Sequence, residues 1–434
     1  MHNLPSVAYR RYVLGLLAVT YTFNFTDRQI LSILLQPIKQ ELLLTDTQLG
    51  LLSGIAFALF YVSLGVPIAR LADRKSRINI ISASIFLWSL MTALSGLASN
   101  FWHLLLARIG VGVGEAGCTP PAHSLISDYF AARDRSGAMG IYSLGVPVGS
   151  FLGILVGGWV AQWYGWRMAF FVVGLPGVLL AIVVRLTIKE PARGLADGQA
   201  DGQADGQAPE SDQAPPLNEV ISLLWSKKCF RHITMGTALL AAGGFASGNW
   251  IPPFLIRSHG MSLGEIGTWL SLLTLVGGVT GVLVGGYLGD RLGKRSARWY
   301  CLLPGLALLI AFPFSVSGLL VSSPYTALTI WLVPAIANAL YFGPVMSLIQ
   351  RLVGVRIRAT SVAIFLFFTN LIGMGGGPLL IGIISDFSAK SFGEESLRYA
   401  LLIGTGLGVW SAIHYLLAAR TVIEDLRATE GVES

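Results

Sequence analysis

The chain has 434 residues, of which 53% are apolar and 12% are charged, and its mean hydropathy is +0.66. Soluble chains carry about 25% charged residues, so this composition excludes a series of water-soluble domains and indicates a protein that crosses the membrane several times. The formal net charge is +7, and the positions of the basic residues decide whether it reflects nucleic-acid binding or membrane topology.

Twelve apolar stretches are long enough to span a hydrocarbon core, which takes about 20 residues of helix. The first stretch follows Arg10 and Arg11 and lacks a small-residue cleavage site, so it is expected to remain as a helix with the amino terminus in the cytoplasm. The predicted spans are 11–38, 49–71, 78–99, 101–130, 137–163, 168–188, 232–257, 265–289, 297–321, 324–350, 359–384 and 396–419.

A polar segment separates the sixth span from the seventh. In it the sequence Ala-Asp-Gly-Gln occurs three times between residues 196 and 207, and prolines follow. Such a composition buries too little apolar surface to order a chain. The sequence therefore predicts an amino-terminal six-helix bundle over 1–190, a flexible cytoplasmic linker over 191–218 and a carboxy-terminal six-helix bundle over 219–434.

The basic residues are distributed unequally between the two sides of the membrane. With twelve spans and a cytoplasmic amino terminus, 23 of the 30 Lys and Arg fall on the cytoplasmic side, five fall outside and two fall within spans. This is the bias expected of short cytoplasmic loops. It predicts two cytoplasmic termini in a plasma (inner) membrane protein and argues against a nucleic-acid partner, which needs one basic face. A monomer is expected.

Two stretches of sequence repeat between the halves of the chain. Residues 69–77 contain Asp73-Arg74 after the second span, and residues 286–295 contain Asp290-Arg291 after the eighth. A second pair of similar stretches joins residues 124–135 to residues 347–358 at a spacing of 223. Two related halves are typical of secondary transporters.

These motifs resemble the signature of the major facilitator superfamily, and the copy at 286–295 fits it fully. In the first copy, Ala69 and Ser76 replace glycines of the pattern. The sequence Asn24-Phe-Thr-Asp27-Arg28, with 108–116 and the prolines at 120–121, is similar to the spinster branch, which includes lysolipid and sphingolipid-phosphate transporters. The resemblance implies an all-α integral membrane fold with 12 transmembrane helices in two pseudo-symmetric six-helix bundles, and it also implies proton linkage.

Four charged residues, Asp27, Arg28, Arg108 and Glu115, lie within predicted spans. A charge at the centre of a membrane helix costs about 2.5–3.5 kcal/mol, so such residues usually face a cavity or a partner. Arg108 and Glu115 are two helical turns apart and share a face. We expect Asp27 and Glu115 to exchange protons, and Arg108 or Arg28 to bind an anionic head group or to act as counter-ion. The alternative is a static ion-pair cluster that fastens two helices.

The basic and acidic residues near the predicted cytoplasmic helix ends suggest paired latches that close the inner side of the protein in one state. The alternative is that these charges only set the topology. The latch residues are Asp73, Arg74, Arg135, Asp290, Arg291 and Arg358.

The second half offers neutral, largely aromatic side chains for a cavity wall. The predicted lining residues are Asn24, Phe245, Asn249, Trp250, Asn338, Tyr341 and Asn370. A charged wall facing an apolar one suits an amphiphilic substrate with an ionic head, and protons are the expected coupling ion, with no metal or other cofactor. The sequence equally permits a proton-coupled drug exporter or an organic-anion symporter. It carries no GxSxG, HExxH or phosphate-loop motif, so no enzymatic activity and no catalytic residue are expected.

Overall fold

The computed structural model describes residues 5–197, 216–353 and 357–430, and within these ranges it is almost entirely α-helical, without a β-strand. Most of the predicted linker, residues 198–215, lies outside the described residues. The helices are α1 (Val7–Leu42), α2 (Asp46–Ser53), α3 (Ile55–Arg74), α4 (Arg77–Ser95), α5 (Phe101–Glu115), α6 (Thr119–Tyr129), α7 (Ala132–Ser143), α8 (Gly145–Thr187), α9 (Leu217–Ser226), α10 (Lys228–His259), α11 (Leu263–Gly293), α12 (Trp299–Leu320), α13 (Pro324–Ile330), α14 (Leu332–Leu340), α15 (Phe342–Arg351), α16 (Arg358–Phe392) and α17 (Ser396–Glu430).

Eight helical segments in the described part of the chain are long and apolar enough to cross a membrane. Two of them, Arg133–Thr187 and Thr360–Thr429, are 55 and 70 residues long, and each contains two predicted spans. The predicted first and fourth spans are not among the eight. Charged and polar residues lower the apolar character of α1, whereas the fourth span is broken into α5 and α6, which are 15 and 11 residues long and are each too short to cross.

Glycines with positive φ divide the two longest segments. Gly165, inside α8, has φ 83° and ψ 161°, and Gly393, which follows α16, has φ 54°. A side chain at either position would clash with the backbone, so glycine is the residue that permits a turn there. The fifth predicted span therefore comprises part of α7 and the first part of α8, the sixth is the part of α8 after Gly165, and the eleventh and twelfth are α16 and α17.

Four predicted spans are divided in the structure: the second, the fourth, the fifth, which is split between α7 and α8, and the tenth, which consists of α13, α14 and α15. The fourth, expected over 101–130, ends as α5 at Glu115 and resumes as α6 at Thr119, because Pro120 and Pro121 lack the N–H groups that would continue the helix. The second is divided at Gly54 into α2 and α3. The break in the fourth span comes directly after one of its two charges.

The chain forms two compact units, and each unit consists of three segments that are separate in the sequence. Unit 1 consists of Met1–Leu44, Ala56–Asp212 and Ser262–Ser271, and unit 2 consists of Thr45–Ile55, Gln213–Met261 and Leu272–Ser434. The start of the second span thus belongs to unit 2, and the start of the eighth belongs to unit 1. The predicted bundle boundaries at residues 190 and 219 stay a prediction.

Glycines bring the helices of unit 1 into close contact. The α8 residues Gly149 and Gly153 face the α1 backbone, and a Cβ atom on either would lie 2.3 Å from the Thr22 carbonyl oxygen or 2.7 Å from that of Thr26. The Thr26 hydroxyl donates to the Gly149 carbonyl at 3.2 Å. Small residues at such crossings are the usual means of packing helices in a membrane. They hold α1, which carries two of the four charges, against α8.

The core of unit 2 is apolar and is built mainly from α10, α12, α15, α16 and α17. Phe230, Leu348, Phe365 and Tyr415 are fully buried in it. The Tyr415 hydroxyl finds a partner in Thr237 at 2.7 Å, as a buried phenol requires.

Asp46, the first residue of α2, is the centre of a buried polar cluster in unit 2. Both nitrogens of the Arg257 guanidinium donate to its carboxylate, at 2.7 and 2.8 Å, and the Ser385 hydroxyl donates at 2.6 Å. The Asp386 carboxylate accepts from the backbone N–H groups of Asp46 and Thr47. A bidentate pair with a buried carboxylate is among the stronger polar contacts. It accounts for the grouping of Thr45–Ile55 with unit 2.

Arg77 is the centre of a second buried network, at the predicted cytoplasmic end of unit 1. Its guanidinium is 1% exposed and pairs with the carboxylates of Asp128 and Glu190, with the Glu190 oxygen 2.7 Å from Nε. The Ser76 hydroxyl also donates to Glu190 at 2.7 Å, and the Gly194 N–H donates to Asp128 at 2.9 Å. The network therefore ties the repeated motif after the second span to the segment that follows α8.

We predict that this network weakens in acid. Burial raises the pKa of Glu190, but hydrogen bonds from Arg77, Ser76 and the Ile78 N–H outweigh it and hold the pKa below its usual 4.5. A carboxyl with a lower pKa in the folded state adds stability above its unfolded pKa and loses it as the pH falls through the folded pKa. Thermal unfolding in detergent should show wild type more stable than Glu190→Gln near pH 7, with the gap closing below about pH 4.5. The exposed Glu219→Gln is the control, and a gap that does not change with pH would contradict the prediction.

Candidate functional site

The four intramembrane charges lie together in unit 1. Asp27 and Arg28 are on α1, and Arg108 and Glu115 are on α5. Asp27, Glu115 and Arg108 are 0%, 1% and 3% exposed, whereas the Arg28 side chain is 15% exposed. Arg28 is therefore the most accessible of the four groups.

Arg28 and Glu115 form the ion pair of this site. The Arg28 Nε donates to Glu115 Oε2, which is fully buried, while Glu115 Oε1 has no hydrogen-bond partner in the described chain. The Nε of Arg108 also has no hydrogen-bond partner in the described chain. Glu115 is thus paired through one oxygen and has the other available for a proton.

Aromatic rings surround the Arg28 guanidinium. Its central carbon lies 4.4 Å from the ring centroid of Tyr61, 4.9 Å from that of Phe25 and 5.1 Å from that of Phe57. Arg108 shares the Phe57 ring at 5.4 Å. Cation–π contacts of this kind stabilise a cation that has lost part of its hydration. The sequence prediction missed these rings; the four-residue spacing of Phe57 and Tyr61, one helical face, was the available signal.

Asp27 lacks a formed hydrogen bond. Neither carboxylate oxygen has a partner in the described chain, and the same holds for both polar atoms of Asn24, one turn earlier. Asn24 is 1% exposed, so it belongs to this buried cluster and not to an accessible wall.

Two glycines between Arg108 and Glu115, Gly112 and Gly114, permit the close approach of neighbouring helices. A Cβ atom on Gly112 would lie 2.7 Å from the Phe57 carbonyl oxygen, and one on Gly114 would lie 2.7 Å from the Trp88 backbone nitrogen. Gly110 instead faces the side chain of Met91. The α5 glycines therefore place the charged face of α5 directly beside α3 and α4.

The predicted lining residues of the second half lie in unit 2 and are not equivalent. Trp250 is fully buried, and its indole N–H donates to the Pro378 carbonyl at 2.8 Å, so it packs within unit 2 in this conformation. Phe245 is exposed, and the Asn249 amide donates to the Phe245 carbonyl at 2.8 Å. The half-buried residues are Asn249, Asn338, Tyr341 and Asn370.

The predicted latch residues make few contacts of the expected kind. Asp73 and Asp290 are exposed, and neither forms an ion pair within the described residues. Arg291 bonds the hydroxyl of Tyr287, and Arg135 donates to the Ser127 carbonyl. The remaining two, Arg74 and Arg358, are exposed. In this conformation the arginine of the motif that forms buried ion pairs is Arg77, and the latch role of the six residues stays a prediction.

A buried ion-pair cluster among membrane spans, in a chain with a repeated loop motif, defines a membrane transporter built from two related halves. The family model "Major Facilitator Superfamily" matches residues 17–378 and 236–431, so the chain belongs to this superfamily, whose fold has twelve transmembrane helices. Within it, the chain belongs to the spinster branch. The prediction of fold and family is confirmed.

Three similar proteins support this assignment. One is a bacterial homologue of the human lysosomal transporter spinster, whose crystal structure is in an inward-facing and unoccupied conformation. Its sequence is 35% identical to this one, and the two structures align with a TM-score of 0.87 over 97% of this chain and 99% of the homologue. An MFS-type efflux pump of Mycolicibacterium smegmatis is 34% identical over 95% of this chain and 94% of its own. The sphingosine-1-phosphate transporter SPNS2 of Xenopus tropicalis is 27% identical over 96% of this chain and 83% of its own.

Proposed function

We propose that this protein is a proton-coupled secondary transporter that moves an amphiphilic substrate with an anionic head group by alternating access. The observation that carries the proposal is the ion pair between buried Glu115 and partly exposed Arg28. Of the four charged residues, Arg28 is the one that an incoming ligand can reach with least rearrangement. A guanidinium offers fixed paired donors that suit phosphate, carboxylate or sulfate.

The coupling follows from competition for one counter-ion. When an anionic head group takes Arg28, Glu115 loses its partner, and an unpaired carboxylate in a buried site is strongly disfavoured. Uptake of a proton by Glu115 removes that cost and leaves the charge of the cluster unchanged. Anion and proton therefore bind cooperatively, and each raises the affinity for the other. Asp27, buried in the same cluster, is the second proton-exchanging group.

Lysolipid- and sphingolipid-like molecules are the proposed substrates. They combine a phosphate-containing head with an apolar chain, and one similar protein is a sphingosine-1-phosphate transporter. Phosphate fits the donors of Arg28, and the aromatic residues Phe25, Phe57 and Tyr61 around it provide an apolar setting for the start of a chain.

A second candidate is a proton-coupled exporter of amphipathic drugs or a symporter of organic anions. The similarity to a mycobacterial efflux pump favours the exporter. A cationic drug would be repelled by Arg28 and would instead require Glu115 to be free as a carboxylate. The lipid transporter and an exporter of cationic drugs therefore predict opposite preferences for the charge of the head group.

The proposed setting is the plasma (inner) membrane, with a monomer whose two termini are cytoplasmic. The unequal distribution of Lys and Arg supports this orientation. The three native cysteines, Cys118, Cys229 and Cys301, are buried and free, and the test replaces them so that one introduced thiol remains. A cysteine introduced near the carboxy terminus should then react with an impermeant reagent only after the cells are opened, because that terminus is expected in the cytoplasm.

Transport in proteoliposomes tests the function. We expect a labelled lysophospholipid to move faster when a pH gradient is imposed, and faster than an uncharged or cationic analogue of the same chain length. Glu115→Gln should still bind the lipid, because Arg28 is released, but transport should no longer respond to the gradient. Glu41→Gln, which alters a carboxylate paired with Arg167 away from the cluster, is the control. Transport that is equal with and without a gradient in wild type would refute proton coupling.

A further inference from the structure

A cavity of about 300 Å³ lies at the predicted cytoplasmic end of unit 1. Three segments of the chain line it, namely the start of α1, the end of α6 and the residues that follow α8. All three lie at the cytoplasmic ends of predicted spans, the level expected for lipid head groups. Ligand pockets usually measure about 300–1,000 Å³, so this cavity suits a head group and not a whole lipid. Its polar lining residues are Ser6, Tyr9, Tyr129, Lys189 and Glu190.

Two tyrosines fix the wall of the cavity. The Tyr129 hydroxyl donates to the Lys189 carbonyl at 2.5 Å, and the Tyr9 hydroxyl donates to the Thr187 carbonyl at 3.0 Å. The Tyr9 hydroxyl also accepts from the Lys189 N–H at 2.8 Å, and the two tyrosine rings meet edge-on with their centroids 6.2 Å apart. The backbone around Lys189 is therefore held in place before any ligand arrives, which lowers the entropic cost of binding.

Two cations at the cavity have hydrogen-bond donors to spare. Lys189 forms hydrogen bonds through its backbone, and its exposed ammonium group has no hydrogen bond or ion pair within the described chain. Arg10 adjoins the cavity, because it follows Tyr9 and donates to the Tyr129 carbonyl at a long 3.5 Å. The Arg10 Nε is buried and has no partner among the described residues. Buried polar groups are nearly always hydrogen-bonded, so this guanidinium nitrogen beside a cavity indicates a site for an acceptor.

The start of α1 adds to the positive potential of the cavity. This helix is 36 residues long, and its N-cap residue, Ser6, lines the cavity. The first N–H groups of a helix have no partner within the helix and attract anions. The carboxylate in the lining, that of Glu190, is already paired, since one oxygen accepts from Arg77 Nε and the other from the Ser76 hydroxyl, both at 2.7 Å. The groups left without a partner are therefore positive.

We propose that this cavity binds the phosphate of an anionic phospholipid from the cytoplasmic leaflet. Lys189 and Arg10 donate to the phosphate oxygens, and the rings of Tyr9 and Tyr129 contact the apolar part of the lipid next to its head group. Basic pockets between helices on the cytoplasmic side are typical binding sites of anionic head groups, and tyrosine is enriched at this depth. Tyr9 lies 19 residues before Arg28 on α1, about 28 Å along the helix, so the site is separate from the charged cluster.

Thermal unfolding of the full-length protein in an uncharged detergent tests the proposal, with phosphatidylglycerol and phosphatidylcholine of the same acyl chains as probes. A lipid that binds the folded state raises the unfolding temperature with its concentration, which gives an apparent affinity. We expect wild type to bind phosphatidylglycerol more tightly than phosphatidylcholine. Lys189→Gln and Arg10→Gln should each weaken phosphatidylglycerol binding about fivefold, the effect of one cation at an anionic lipid surface. Lys189→Gln removes an ammonium group without contacts, so it keeps the test valid where Arg10→Gln does not fold.

Arg11→Gln is the matched control. Arg11 is exposed and carries the same charge at the same end of α1. It comes two residues after Tyr9, so it projects from the opposite side of the helix and away from the cavity. Its replacement should leave the affinity for phosphatidylglycerol unchanged.

The outcomes decide between a defined lipid site and its alternatives. Weaker phosphatidylglycerol binding in Lys189→Gln and Arg10→Gln, with wild-type binding in Arg11→Gln, supports the site. Equal stabilisation by the two lipids, binding that the folded variants leave unchanged, or an equal loss in Arg11→Gln overturns it. Equal stabilisation by inorganic phosphate at the same concentration would identify a free-anion site and overturn the lipid assignment. None of these measurements depends on transport, so the result is independent of the proposed function.

Discussion

Replacing Arg28 by methionine is expected to lower the free energy of unfolding by about 3–5 kcal/mol and to abolish transport. The substitution leaves Glu115 buried without its ion-pair partner, and loss of one member of a buried pair is more harmful than loss of both. Methionine approximates the length of the arginine stem, so the three aromatic rings around residue 28 keep an apolar neighbour. Denaturant unfolding in detergent and lipid uptake by proteoliposomes measure the two effects.

The double variant Arg28→Met/Glu115→Leu separates structure from function. Removing both charges eliminates the unpaired carboxylate, so stability should return to within about 1 kcal/mol of wild type or exceed it, because a buried ion pair replaced by apolar residues is often neutral or stabilising. Transport should remain absent, since the proposed head-group donor and proton acceptor are both missing. A stable double variant that transports normally would show that the pair only fastens α1 to α5, the static alternative considered from the sequence.

The positions of the charged residues could be predicted from the sequence, but their partners could not. Scarcity of charge in an apolar chain identified Asp27, Arg28, Arg108 and Glu115, because a charge in a membrane span is costly enough to need a reason. Which arginine pairs with Glu115 depends on the rotation and depth of two helices 87 residues apart in sequence. These are set by tertiary packing, as are the aromatic rings around Arg28.

The turns that divide the predicted spans, and the assignment of chain segments to the two units, were equally difficult to predict. Hydropathy predicts spans because every span has to be apolar for about 20 residues, and it is insensitive to a turn at Gly54 or at the prolines after Glu115. The grouping of Thr45–Ile55 with unit 2 depends on Asp46, whose partner Arg257 is 211 residues away. No local pattern near residue 46 indicates that contact. Likewise, the motif drew attention to Asp73, whereas the buried ion pairs are made by Arg77 four residues later.

Gly114→Ala is expected to destabilise unit 1 by about 3 kcal/mol, the upper end of the usual cost of overpacking, and to stop transport. The new Cβ atom would lie 2.7 Å from the Trp88 backbone nitrogen and 2.9 Å from its Cβ, so a helix backbone and not a side-chain end would have to move. Helix α4 is held on its other side by Gly174 and Gly177, so it has little room to retreat. The displacement would also fall on Glu115, the residue after Gly114, and so on its ion pair with Arg28.

Gly110→Ala is the matched control, one helical turn away on the same face of α5. Its Cβ atom would also be close to a neighbour, at 2.6 Å, but the neighbour is the Cγ of Met91, the flexible side chain of a residue that can change rotamer. Alanine also favours helix over glycine by about 1 kcal/mol. Gly110→Ala should therefore leave stability within about 1 kcal/mol of wild type and keep transport. The prediction would be contradicted if both variants unfolded at the same denaturant concentration as wild type. Close contact between Gly114 of α5 and the α4 backbone would then not be needed to hold these two helices together.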